Sequence, residues 1–216
     1  MLAEQGTHIH SCDEMTGIQA LEHKHPALPM VPGKVERQEF EYIRHGTTTL
    51  IASRNVVTGQ VEAPLIQPTR TEVDFVLHIR NVIAKNLRDH HIFLTDQLNT
   101  HKSESLVFLV TELCNLNPKE LGVKGESGIL KDMNSRKAFL EDESHRIRFV
   151  YTPKHCSWLN QIECWFSILV RRLLNKRANF ASKEALEERI AQFIDYYNQH
   201  LAKPFKWKYD GKLLKV

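Results

Sequence analysis

Hydrophobic and polar residues alternate at the start of the chain in the manner of a half-buried strand. This alternation covers residues 7–12 and leads directly into Asp13. Gly17 is predicted to lie in a tight turn, followed by a returning strand over 18–21. A β-branched and apolar run over 47–52 predicts a third strand. The first part of the chain is therefore predicted to be mainly β-structure.

Helical spacing of the apolar residues then dominates. The predicted helices cover 72–87, 104–114, 158–175 and 183–198, and the last three follow the capping serines Ser103, Ser157 and Ser182. A short apolar run over 92–94 predicts a buried central strand that ends at Asp96, and residues 148–151 predict another strand. Residues 115–147, with a proline, three glycines and mixed charge, are predicted to be an insertion with at most short elements. Strands that alternate with helices predict one mixed α/β domain over residues 1–216.

Composition narrows the functional classes only slightly. The net charge of +3 and the pI of about 8.6 permit nucleic-acid binding without arguing for it. The four cysteines show no CxxC spacing, which makes a zinc ribbon unsupported. The first residues lack the pattern of a secretory signal, and no apolar run approaches the ~18 residues of a membrane helix. We expect a cytoplasmic protein that is nucleoid-associated when bound to DNA.

Three acidic residues stand where strong secondary elements end or turn. Asp13 follows the first predicted strand, Asp96 follows the central strand, and Glu163 lies one turn into an amphipathic helix. Each has an ordinary structural explanation as a turn, capping or helix-dipole residue. A buried strand that ends in a carboxylate is nevertheless costly unless the charge meets a cation. If the three converge, they form an all-oxygen site suited to Mg²⁺ or Mn²⁺.

The segments around these acids resemble a known family. They are CDE at 12–14, TDQLNTH at 95–101 and TPKHCSWLNQIECWF at 152–166. Together they resemble the DDE transposases of the mariner-like superfamily, and most of all its bacterial insertion-sequence branch. Two departures are Gln97, where the family commonly has Asn, and a gap of 67 positions between Asp96 and Glu163. The extra length of that gap falls in the 115–147 insertion.

The resemblance implies a ribonuclease-H-like fold with the two aspartates on adjacent strands and the glutamate on a helix beside them. It implies two Mg²⁺ or Mn²⁺ ions held by Asp13, Asp96 and Glu163. The implied reaction is phosphodiester cleavage and strand transfer at the ends of a mobile element. No covalent enzyme–DNA intermediate is needed in this chemistry, so no serine or tyrosine nucleophile is expected.

Two polar residues of the same motifs are secondary candidates. His101 could orient a metal ligand or contact a phosphate, or it could simply cap the helix over 104–114. Asn160 could hydrogen-bond a metal ligand or the scissile phosphate, or it could be an ordinary polar residue of a first helical turn. The sequence leaves both choices open.

A basic run follows the helix that carries Glu163 and could track a DNA backbone. Its members are Arg171, Arg172, Lys176 and Arg177. Cations at a helix C-terminus are also favoured by the helix dipole alone. The DNA interpretation is preferred because the helix starts at the candidate metal site.

The resemblance also implies partners: double-stranded DNA, as element ends and target, and a homodimer on that DNA. No helix-turn-helix pattern precedes the first strand, which predicts that specificity comes from a separately encoded N-terminal DNA-binding protein or that the chain is a truncated remnant. Three alternatives stay open. They are another ribonuclease-H-like nuclease such as a resolvase, a DNA-binding remnant that has lost catalysis, and a metal-free α/β binding module.

Overall fold

The first strand is longer than its pattern predicts. The structure, a computed structural model, describes residues 6–175 and 177–206. Strand β1 (Thr7–His23) runs without a break through Gly17, so the predicted turn and returning strand are wrong. Gly17 has a φ of +66° and lies at a register irregularity between Met15 and Ile18. A bulge absorbs such a left-handed residue while the strand continues along its partner.

Antiparallel and parallel strand pairs meet in one five-stranded sheet. The other strands are β2 (Tyr42–Asn55), β3 (Val61–Gln67), β4 (His90–Thr95) and β5 (Ile147–Tyr151). Their order is β3-β2-β1-β4-β5, in which β1, β2 and β3 pair antiparallel while β1, β4 and β5 pair parallel. Ser11 pairs with Leu94, so Asp13 and Asp96 each lie two residues further along neighbouring strands. The predicted mixed α/β sheet is confirmed, with Asp13 within β1 and Asp96 directly after β4.

Helices cover both faces of the sheet. Within the described residues they are α1 (Glu72–Ile83), α2 (Glu104–Leu113), α3 (Met133–Glu141), α4 (Gln161–Arg172) and α5 (Lys183–His200). One apolar core joins α1 and α2 to the sheet through Phe75, Val110 and Phe93. A second core joins α4 and α5 to the opposite face around Trp165 and Ile190. None of these helices is long and apolar enough to cross a membrane.

Several element boundaries differ from the sequence prediction. Helix α1 ends at Ile83 instead of 87, and α4 ends at Arg172 instead of 175. The 115–147 insertion holds a short 3₁₀ turn at Pro118–Glu120, as expected, but also the nine-residue helix α3. Asp132 caps α3 by accepting hydrogen bonds from the backbone N–H groups of Asn134 and Ser135. The helix that carries Glu163 begins at Gln161 instead of 158, because residues 157–159 form a separate 3₁₀ turn.

Candidate active site

Two carboxylates and one imidazole lie together at the C-terminal end of β4, beside the middle of β1. Asp13 lies within β1 and is 6% exposed, and Asp96 directly follows β4. Each of Asp13, Asp96 and His101 offers a nitrogen or oxygen atom, and these atoms all lie within 4.8 Å of one another. Among the described residues, that close group does not include Glu163. The pairing of β1 with β4 brings Asp13 to the other two residues, which are close to each other in the sequence.

Asp13 is held in place at both oxygens. Its Oδ1 accepts a hydrogen bond from the backbone N–H of Glu14 at 2.9 Å, and its Oδ2 accepts one from Asn160 Nδ2 at 3.2 Å. Burial raises the pKa of Asp13 to about 7, and the negative charge of Asp96 raises it too, whereas His101 opposes the rise. A buried carboxyl with a pKa near neutrality lacks sufficient positive charge around it.

His101 bridges two carboxylates. Its Nε2 lies 2.9 Å from Glu14 Oε2, and its Nδ1 lies 2.8 Å from Asp96 Oδ1. Burial lowers the pKa of His101, but hydrogen bonds to Asp96 and Glu14 outweigh it and raise the pKa to about 9. The ring is therefore an imidazolium at neutral pH, with both nitrogens engaged. Because Ser103 caps α2, the helix-cap explanation for His101 is wrong.

Asn160 connects α4 to β1. Its Nδ2 donates to the carbonyl of Cys12 at 3.0 Å as well as to Asp13, and its Oδ1 accepts from Ser11 Oγ. Asn160 occupies the N-cap position of α4 without capping it. Instead Ser11 Oγ accepts a hydrogen bond from the Ile162 N–H at 2.7 Å. A strand residue thus satisfies the helix terminus, which leaves the Asn160 side chain free to hold Asp13.

Glu163 is the third residue of α4 and lies partly buried beside the group. Burial raises the pKa of its carboxyl, and the negative charge of Asp96 raises it further. Glu163 is therefore close enough to Asp96 for the two charges to interact. The hydrogen bonds of Asn160 and Ser11 at the start of α4 determine where it stands relative to Asp13.

Glu14 is a site residue to which the sequence pattern assigned no role. Its side chain is 4% exposed, pairs with His101, and lies 3.9 Å from Arg70. Strand alternation could have revealed it, since the neighbour of Asp13 must point to the opposite, buried face of the sheet. A carboxylate there requires a cation, and His101 provides it.

Gln97, the departure from the family pattern, joins two loops of the site. Its Nε2 donates to the carbonyl of Thr152 at 2.9 Å, and the N–H of Thr152 donates to the carbonyl of Thr95. The loop after β5 is therefore bound to the turn that carries Asp96.

The basic candidates have different surroundings. Arg171 lines a shallow groove that also contains Glu14 and Glu163. Arg172 is exposed and shares a second depression with Arg171, near Tyr197. Arg177 forms an ion pair with Glu36 at 2.8 Å. Lys176 lies outside the described residues. Only Arg171 is thus placed in one groove with an acidic residue of the candidate site.

The family described as DDE superfamily endonuclease matches residues 8–187. No curated protein matches the chain. Similar solved structures include the Mos1 mariner paired end complex with Mn, at 14% identity and a TM-score of 0.35, and the Mos1 Strand Transfer Complex, at 16% and 0.36. These comparisons cover 94% and 88% of this chain but 57% and 52% of the transposase chains, so the chain spans a little over half of their length.

Proposed function

The protein belongs to the DDE superfamily endonuclease family, whose match covers most of the chain, and we propose that it is the catalytic domain of a DNA transposase. The reaction is metal-dependent phosphodiester cleavage and strand transfer at the ends of a mobile element. One observation carries the proposal: Asp13 and Asp96 meet at neighbouring parallel strands, with His101 fixed between Asp96 and Glu14. Two neighbouring carboxylates do not stabilise an apolar core, whereas a metal-dependent nuclease requires carboxylates that converge on its metal ions.

The donor set fits a hard divalent cation. Asp13, Asp96 and Glu163 offer carboxylate oxygens, the ligands that Mg²⁺ and Mn²⁺ prefer. Both nitrogens of His101 face carboxylates, so the imidazole is not a ligand in this arrangement. Burial and the charge of Asp96 raise the pKa of Asp13, and a bound cation would oppose that rise, as His101 does. We assign the three carboxylates as ligands of two ions, which would activate the attacking hydroxyl and stabilise the leaving 3′-oxygen.

The remaining residues position these ligands. Asn160 and the Glu14 N–H hold one oxygen each of Asp13, while His101 holds Asp96. The bond from Ile162 to Ser11 fixes the start of α4, and hence Glu163, to β1. Ligands that are held before the metal arrives need little reorganisation when substrate binds.

DNA is the proposed substrate, both as element ends and as target. Arg171 shares a groove with Glu163, which supports its assignment to a backbone phosphate of the bound DNA. A homodimer that holds two ends is the assembly that the family resemblance implies. All five helices of the described residues pack against the sheet, which leaves none of them projecting as a reading helix. We propose that base-specific contacts with the element ends come from a DNA-binding module other than these five helices, and titrations of this chain with terminal-repeat and scrambled duplexes would test this.

The experiment that tests the proposed function compares Asp96→Asn with wild type on duplex DNA from the element's end. With Mg²⁺, we expect wild type to cleave and to join the 3′ end to a target duplex, and Asp96→Asn to do neither. Asp195→Asn, an exposed acid on α5, is the matched control and should remain active. Cleavage by Asp96→Asn at the wild-type rate contradicts the proposal. Cleavage by wild type without joining would instead indicate another ribonuclease-H-like nuclease.

A further inference from the structure

Two lysine side chains lie over the ring of Tyr151, at the end of β5. Lys102 Nζ is 5.7 Å and Lys137 Nζ is 5.5 Å from the ring centre. The Tyr151 hydroxyl donates a hydrogen bond to the carbonyl of His101 at 2.7 Å, and Lys102 directly follows His101. The two amines therefore stand beside the turn that leads from Asp96 into α2.

The positive charge of this pair is poorly compensated by the protein. Lys102 is 7% exposed, yet its amine forms no hydrogen bond or ion pair with any residue that the structure describes. Lys137 is only 3.7 Å from Glu141, and that pair is partly exposed. Burial lowers the pKa of Lys102, and the charges of Lys137 and Lys154 lower it further, whereas the carboxylates of Asp96 and Glu141 oppose this fall. Gathering cations in this way is unfavourable unless an anion joins them.

Lys137, the second lysine of the pair, belongs to the 115–147 insertion. Lys137 lies on α3, which packs against β5 and against the 3₁₀ turn that carries Lys102. Arg136 secures this contact, since its Nε donates to the carbonyl of Lys102 at 2.9 Å. The hydrogen bond from Arg136 to the Lys102 carbonyl therefore fixes α3, and with it Lys137, beside the turn that follows Asp96. The insertion thus lies at the edge of the candidate site.

We propose that Lys102 and Lys137 form a binding site for a backbone phosphate of DNA, next to Asp96. This inference rests on the proposed function, because it takes the ligand to be the DNA that the site cleaves. The phosphate would supply a direct anionic partner for Lys102 and a second one, besides Glu141, for Lys137. Arg171 lies in the groove with Glu163, so cationic groups would flank the acidic centre at both Asp96 and Glu163.

The test is the salt dependence of DNA binding in the presence of a chelator, followed by fluorescence anisotropy of a labelled duplex. Each neutralised phosphate contributes about 0.9 to the slope of log K against log salt concentration. The double variant Lys102→Gln/Lys137→Gln should bind more weakly, with a slope smaller by about 1. The control Lys119→Gln/Lys131→Gln removes two exposed lysines of the same insertion and should leave the slope unchanged.

A charge-conserving pair, Lys102→Arg/Lys137→Arg, should restore the wild-type slope. If the double glutamine variant does not fold, Lys137→Gln alone decides, because its side chain is 31% exposed and tolerates replacement. A wild-type slope in a folded glutamine variant, or an equal loss in the control, overturns the inference. The binding slope is measured without cleavage, so the two failures can be told apart. If Asp96→Asn abolishes cleavage but the lysine variants bind like wild type, only this inference fails. If Asp96→Asn still cleaves but the lysine variants lose slope, the proposed function fails.

Discussion

Replacing Asp13 by Asn should stabilise the metal-free protein at alkaline pH, although it should also remove cleavage. In the folded protein the pKa of Asp13 is raised from 3.8 to about 7. The folded state therefore prefers the protonated acid. The contribution of the protonated Asp13 side chain to the free energy of unfolding is fully present below pH 3.8 and is lost as the pH rises through about 7. About three pKa units at ~1.36 kcal/mol each correspond to about 4 kcal/mol lost above pH 8.

The asparagine variant avoids this loss because it carries no charge. Its side-chain oxygen can still accept the Glu14 N–H, while the bond from Asn160 becomes less favourable by about 1 kcal/mol. The net gain expected at pH 8.5 is about 3 kcal/mol, falling to about 1 kcal/mol at pH 5.

Urea unfolding of both proteins with EDTA at the two pH values measures this difference. Asp195→Asn, which replaces an exposed acid, should match wild type at both pH values. An Asp13→Asn variant that is less stable than wild type at pH 8.5 would refute the reasoning. Asp13 would then be a structural residue whose charge is already balanced.

Two further predictions concern stability. Saturating Mn²⁺ should raise the melting temperature of wild type, by an amount equivalent to about 2.7 kcal/mol at 100 times Kd. The effect should be much smaller for Asp13→Asn, and equal shifts in a thermal melt would place the metal elsewhere. Burial lowers the pKa of both His78 and His91 from 6.5 to about 4. Because the unfolded chain takes up these protons first, stability should fall between pH 6.5 and 4, by up to about 3 kcal/mol for each histidine. Urea unfolding at pH 7 and 4.5 measures this loss, and a His78→Gln variant that loses as much as wild type would contradict it.

The order of the elements and the Asp96 strand could be predicted because local patterns decide them. The run over 92–94 is apolar on both faces, and Ser103 caps α2 as predicted. The turn predicted at Gly17 was wrong, since a glycine with a positive φ occurs in a β-bulge as well as in a turn. The pairing of β1 with β2, which decides between them, is a long-range property.

The supports of the candidate site were harder to predict. Ser11 and Ile162 are 151 positions apart, and no local pattern indicates that a strand hydroxyl completes the first turn of α4. Helix α3 was not predicted because Leu140 is its only buried residue, so its sequence shows no helical repeat of apolar residues. The tertiary contacts of α3, and not its own sequence pattern, place Lys137 beside Tyr151.

Charge balance explains why a histidine stands between Glu14 and Asp96. Four carboxylates lie in or beside the site, those of Asp13, Glu14, Asp96 and Glu163, and the imidazolium of His101 neutralises one of them. With all four ionised, the group carries a formal charge of −3. Two divalent cations and one phosphodiester together bring +3, so the site with both ions and the reacting phosphate would be neutral. A neutral residue in place of His101 would leave the buried Glu14 carboxylate with the more distant Arg70, at 3.9 Å, in place of an imidazolium at 2.9 Å, and a poorly paired buried charge is costly. The imidazolium thus balances the charge of Glu14, next to Asp13. The carboxylates of Asp13, Asp96 and Glu163 are then left for the two proposed metal ions.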